Sequence, residues 1–215
     1  MTPNKEDYLK MVYELGETTK KVTNKQLVSG LKVSAASVSE MITKLLKEGY
    51  VGHIPYKGIH LTEEGLQKAS ALVRKHRLWE VFLVNNLGYA WNEVHQEAEV
   101  LEHVTSIELT RHLDKYLDFP TVCPHGGMIP AEKEVVHEKF LSTLVDKEIY
   151  DVVKIKRVAD EKELLDYLAS LDVNIGDRYK IIDIGAYEGP ITLEAEGKQL
   201  VVSYKAATNI FIESV

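Results

Sequence analysis

Two short helical patterns joined by a tight turn and followed at once by a hairpin pattern leave few ways for this chain to begin folding. Thr23-Asn24-Lys25-Gln26 has the form of a capping box and predicts a helix to about Ser29. Gly30 is expected to break that helix and supply the turn. Ser34 opens a second helix, with Val38, Met41, Ile42, Leu45 and Leu46 as its buried stripe and Gly49 as its end. An earlier helix over Asp7 to Leu15 carries Tyr8, Leu9, Met11, Val12 and Leu15 at helical spacing. After the second short helix, Tyr50 to Ile54 and Ile59 to Leu61 read as strands around Pro55-Tyr56-Lys57-Gly58, and Thr62 caps a long helix. Two helices with a turn and then a wing predict a winged helix-turn-helix over residues 1–65.

The outward face of the second short helix suits double-stranded DNA. Ser34, Ser37, Ser39, Glu40 and Thr43 are short hydrogen-bonding groups that reach base edges in a major groove. Lys44, Lys47 and the wing-tip Lys57 are cations suited to phosphates. Charge agrees in sign. Residues 1–75 carry 12 Lys and Arg against 8 Asp and Glu, whereas the remainder carries 14 against 25. The first third can approach a polyanion and the rest repels one.

Residues 63–86 read as one long helix, in which Glu80 interrupts the apolar run Leu78 to Val84. A carboxylate buried there needs a partner, because an unpaired one costs several kcal/mol. The next helix spans His95 to His103. At ~100° per residue, His95, Glu99, Glu102 and His103 fall on one stripe, a donor set suited to a divalent cation. Val94, Val100, Leu101, Val104 and Ile107 fall on the opposite side, which is expected to bury against protein. A further helix over Ser106 to Leu117 is also apolar, and helices so short of polar cover predict a homodimer. Two recognition helices in a dimer match two half-sites about one helical turn apart.

Phe119 to Gly127 is a Pro- and Gly-containing loop, in which Cys123 and His125 are placed to share an ion. Cys123 is the single cysteine, so no internal disulfide forms and a reducing compartment is expected. No apolar run approaches the ~18 residues of a membrane span, and Met1 to Lys10 is polar. A cytoplasmic protein is expected, with no membrane contact and no small-molecule substrate. Residues 66–144 are assigned to a helical metal-binding and dimerisation domain. Residues 145–215 are assigned to a linker, Val145 to Ala159, and a small β module. In the module, a helix over Asp160 to Leu171 precedes four or five short strands between 177 and 215, with an SH3-like barrel expected. The chain as a whole is expected to be mainly α.

At the level of motifs, the chain resembles the diphtheria-toxin-repressor and manganese-transport-regulator family of metal-dependent repressors, nearest to its streptococcal manganese-responsive branch. The resemblance covers nearly the whole length. It rests on Glu6-Asp7-Tyr8, the winged helix, Arg74-Lys75-His76 leading to Glu80, and Glu99-x-x-Glu102-His103. A further stretch runs from Gly176-Asp177 through Gly189-Pro190-Ile191 to Ala206-x-x-Asn209-Ile210, similar to a FeoA-type ending.

The resemblance implies two metal sites. One uses Asp7, Glu99, Glu102 and His103, with His76 nearby; the other uses Glu80, Cys123, His125 and Asp160. Asp7 and Glu99 stand where iron-responsive relatives carry softer Met and Cys, and hard oxygen donors suit Mn²⁺. Cys123 departs from that logic and lets Zn²⁺ or Cd²⁺ substitute, as Fe²⁺ also can. Lys10 stands where two-domain manganese regulators carry a further carboxylate, and His95 matches a ligand of the iron-responsive members. The implied function is a manganese-dependent repressor that binds palindromic operator DNA as a dimer and silences metal-uptake genes. It is not expected to be an enzyme. Two alternatives stand beside it. A di-metal enzyme needs two Glu-x-x-His motifs, and only Glu134-Val135-Val136-His137 fits. A winged-helix regulator of a different ligand is the other.

Overall fold

The computed structural model describes residues 1–18, 22–54, 58–134 and 142–214. The chain forms two compact units. The first comprises Met1–Trp79, Ala98–Thr121 and Met128–Phe140; the second comprises Glu80–Glu97, Val122–Gly127 and Leu141–Val215.

The first unit begins with α1 (Pro3–Thr18), α2 (Asn24–Leu31), α3 (Ala35–Lys47) and the hairpin of β1 (Val51–Ile54) and β2 (Gly58–Leu61). It continues into α4 (Glu63–Leu87), and takes in most of α5 (Val94–Val104) and all of α6 (Ile107–Tyr116). The capping box forms as expected: Thr23 Oγ1 accepts from the Gln26 amide, and Gln26 Oε1 accepts from the Thr23 amide. Ser34 Oγ caps α3 by accepting from the Ser37 amide. The strands pair antiparallel from Val51↔Leu61 to Ile54↔Gly58, and Val22 bridges to Ile59. Tyr8, Leu9, Val12, Leu27, Val38, Ile42, Leu45, Val51, Ile59 and Val73 form one core.

Gly30 does not end α2 but lies inside it. A Cβ there would stand 2.7 Å from Met11 Sδ, near the end of a flexible side chain on α1. The turn is made instead by Lys32, which caps the helix in the left-handed conformation at φ 54°. The wing tip Pro55-Tyr56-Lys57 lies outside the described residues.

The second unit holds β3 (Val152–Val158), α7 (Lys162–Ser170), β4 (Arg178–Ile184), β5 (Ile191–Ala195), β6 (Lys198–Val202), α8 (Tyr204–Ala207) and β7 (Ile210–Ser214). The strands form an antiparallel sheet in the order β6-β5-β4-β3-β7. Leu144, Ile155, Leu165, Leu168, Ile181, Leu193 and Ile210 lie in its core. The stretch read as a linker therefore contains a central strand. Val153, Ile155 and Val158 are buried, Arg157 is buried with them over the Phe211 ring, and a register shift between Ile155 and Arg157 breaks the alternation that would mark a strand.

Candidate metal centre

Two clusters of potential ligands form, one within each unit. In the first unit, α1 contributes Asp7 and α5 contributes Glu102 and His103, with ligand atoms within 4.8 Å of one another. Three residues of separation along α1 bring Lys10 to the same side as Asp7. His76 of α4, with Glu99 and Glu102 of α5, forms an adjoining group that shares Glu102. His103 Nε2 stands 2.9 Å from Asp7 Oδ1 and 3.7 Å from Glu102 Oε1. Both of those oxygens are shut off from solvent and lack a hydrogen-bond partner. Acceptors turned toward one point without a donor are what a cation would satisfy.

Burial pushes the Asp7 carboxyl above its usual range; His103 pulls it back, and Glu99 and Glu102 push it further up. On its other ring nitrogen, His103 Nδ1 lies 2.7 Å from Glu6 Oε2. A carboxylate there fixes the tautomer that leaves Nε2 free to coordinate. Lys10 is almost wholly buried. Its ammonium donates to Glu99 Oε1 at 2.6 Å and Glu102 Oε2 at 2.9 Å, and lies 3.0 Å from His76 Nδ1. Burial opposes its charge, but Glu102, Glu14 and Glu99 outweigh that and hold it protonated.

In the second unit, Glu80, Cys123 and His125 converge and all are buried. His125 Nδ1 stands 2.8 Å from Glu80 Oε1 and 3.3 Å from Asp160 Oδ1. Its Nε2 lies 2.7 Å from the Trp91 carbonyl oxygen, and the Trp91 ring packs beside the imidazole. Donation from Nε2 to that carbonyl aims Nδ1 at the acids. Burial opposes the charged imidazole, yet Glu80 and Asp160, with Cys123, hold His125 well above its usual value. Gly126 lets this loop lie against β3: at φ +85°, a Cβ would meet the Lys156 carbonyl oxygen at 2.1 Å. The Val158 amide donates to the His125 carbonyl across the same contact.

The structure thus brings Asp7, Glu102 and His103 together, and Glu99 and His76 around Glu102. It also brings Glu80, Cys123 and His125 together, with Asp160 beside His125. The stripe on α5 is divided, because His95 Nδ1 lies 2.8 Å from Asp160 Oδ1 and joins Glu80 and Asp160 instead. Spacing alone could not separate His95 from Glu99. Glu6 was not singled out as a site residue, and nothing in its spacing marks it as the orienting partner of His103.

On the outward side of α3 and at its cap, Ser34, Ser37, Ser39, Glu40, Thr43 and Lys44 are all exposed. Glu40 pairs with Lys44 at 2.7 Å. Lys57 lies outside the described residues, as do Val135 to His137 of the Glu-x-x-His motif. No helix among the described residues is long and apolar enough to cross a membrane.

Residues 1–59 match the family described as iron dependent repressor, N-terminal DNA binding domain. Residues 62–131 match its metal binding and dimerisation domain, and residues 142–214 match the FeoA domain. Among solved structures, the manganese regulator SloR is 45% identical over 100% of both chains, with a TM-score of 0.88. ScaR with bound Zn²⁺ is 40% identical over 99% of this chain and 100% of its own, also at 0.88. The iron-dependent repressor IdeR of Mycobacterium bovis is 36% identical over 130 residues, 60% of this chain and 56% of that protein, so the match spans little more than half of that curated relative. From these matches the chain belongs to the iron-dependent repressor family, whose members are metal-dependent transcriptional repressors.

Proposed function

We propose that this protein is a manganese-dependent repressor that binds palindromic operator DNA as a homodimer in the cytoplasm and silences metal-uptake genes. The observation that carries the reading is the convergence of Asp7 with Glu102 and His103 around two buried oxygens that have no hydrogen-bond partner. Asp7 belongs to the helix that packs on α2 and α3, and Glu102 and His103 belong to α5.

A divalent ion held by all three would add a second positive charge, beside that of Lys10, between the DNA reader and α5. Asp7, Glu99 and Glu102 offer hard oxygens, the ligand type that suits Mn²⁺. Glu6 keeps His103 turned with Nε2 toward Asp7. Without the ion, Lys10 still pairs α1 with Glu99 and Glu102 of α5, but the buried oxygens of Asp7 and Glu102 face one another with no cation between them. With it, one spacing of the two recognition helices in a dimer is favoured, a population shift driven by differential affinity. Glu80, Cys123, His125 and Asp160, with His95 alongside, would hold a second ion. The Cys123 thiolate suits Zn²⁺ or Cd²⁺ as well as Mn²⁺, and the SloR and ScaR neighbours, described as a manganese regulator and as zinc-bound, favour that range.

Dimerisation is supported by the apolar side of α5 and α6. Val100, Val104 and Ile107 are 67%, 77% and 65% exposed on the single chain. Large apolar groups exposed together mark an interface, and the domain match over residues 62–131 is to a dimerisation domain.

The test is a gel shift on the promoter of a metal-uptake operon with Mn²⁺, Fe²⁺, Zn²⁺ or chelator present. A shift with Mn²⁺ that chelator abolishes is expected. A shift indifferent to metal would favour a regulator of another ligand.

A further inference from the structure

The carboxylate of Glu102 has two faces. Oε1 is turned toward Asp7 and His103, and Oε2 toward His76 and Lys10. A shared carboxylate with one oxygen on each side is the arrangement that bridges two adjacent cations. On the first side the acceptors lack any hydrogen-bond donor. On the second, the Lys10 Nζ stands 2.6 Å from Glu99 Oε1, 2.9 Å from Glu102 Oε2 and 3.0 Å from His76 Nδ1. These are hydrogen-bond lengths for an ammonium, and they come from a group of three that could themselves hold a metal ion.

We propose that the Lys10 ammonium is a built-in cation that fills the second of two adjoining cation positions, so that the Asp7 cluster takes one divalent ion and not two. The proposal rests on the manganese reading above and adds the number of ions. Glu99 and Glu102 both pair with the Lys10 ammonium, so a cation already stands on that side of the cluster. A second divalent ion would need the donors that Lys10 already engages, at the point where its charge stands. The lysine also holds Glu102 in place whether or not metal is present, because its charge does not depend on metal supply. It thereby sets the stoichiometry of the cluster.

The test uses the full chain and Mn²⁺ alone, with His125→Ala removing the other cluster. Bound manganese is counted after equilibrium dialysis, and low-temperature electron paramagnetic resonance reads whether ions are magnetically coupled. One uncoupled ion is expected with Lys10 in place. Adding Lys10→Glu should raise the count to two and produce a coupled signal. Lys10→Met should lower the melting temperature of the metal-free chain, and Mn²⁺ should recover it. Two coupled ions with Lys10 present would overturn the proposal while leaving the manganese reading intact. A count that stays at one in Lys10→Glu would overturn it too. No ion at the cluster with Lys10 present would take down both. If the lysine variants do not fold, the count and signal with Lys10 in place decide the matter.

Discussion

At the residue scale, the groups that touch a ligand are only part of what makes a site, and two contacts here lead to measurable expectations. Glu6 meets His103 on the nitrogen turned away from Asp7. Removing such an orienting carboxylate typically costs about 10–100-fold in metal affinity. Glu6→Gln is therefore expected to weaken Mn²⁺ binding by that order in calorimetric titration, with the circular dichroism spectrum unchanged. His125 gives a pH dependence. In the metal-free chain it keeps its proton well above the usual value because Glu80 and Asp160 outweigh burial. An ion at that cluster needs the neutral nitrogen and must displace the proton. Apparent affinity there should rise about tenfold per pH unit until the raised value is passed. Calorimetry in buffers of different ionisation enthalpy reads the released proton directly. The same shift contributes stability to the metal-free chain that is complete below the ordinary histidine value and is lost as pH climbs through the raised one.

At the element scale, helical period and capping made most of the first unit legible in the sequence. The capping box at Thr23 and the cap at Ser34 are local signals that form as read, and of the stripe read on α3, Val38, Ile42 and Leu45 are buried whereas Leu46 is exposed. Glu99, Glu102 and His103 were legible as one face for the same reason. Their meeting with Asp7, more than ninety residues away, has no local signature, and only the family resemblance suggested it. Gly30 misled because a glycine inside the last turn of a helix looks in sequence like one that ends it, whereas Lys32 makes the left-handed cap. β3 was lost because its lysines and arginine looked like a linker, although Val153, Ile155 and Val158 are buried along it. Gly126 shows how a loop is held to that strand. An alanine there carries the backbone cost of a left-handed residue, roughly 1–3 kcal/mol, and also clashes with the Lys156 carbonyl. Gly126→Ala is expected to lower stability in urea unfolding by at least about 1 kcal/mol and to weaken Zn²⁺ binding at Cys123 and His125.

At the scale of the whole molecule, a basic first third and an acidic remainder, +4 and -11, favour an approach to DNA through the first third. The exposed apolar residues of α5 and α6 call for a second copy of the chain. Val104→Glu is expected to fold normally, since the side chain faces solvent on a single chain, and to sediment as a monomer. A dimer of unchanged stability would place the interface elsewhere. The central claim is that an ion shared by Asp7, Glu102 and His103 governs operator binding. Its most direct test is Mn²⁺ titration of operator binding by fluorescence anisotropy, comparing the unaltered chain with Asp7→Ala. The expected result is that Asp7→Ala, still folded and dimeric, needs at least about tenfold more Mn²⁺, a loss of 1.4 kcal/mol or more in metal coupling. An Asp7→Ala protein that follows the same Mn²⁺ curve as the unaltered chain would contradict the account.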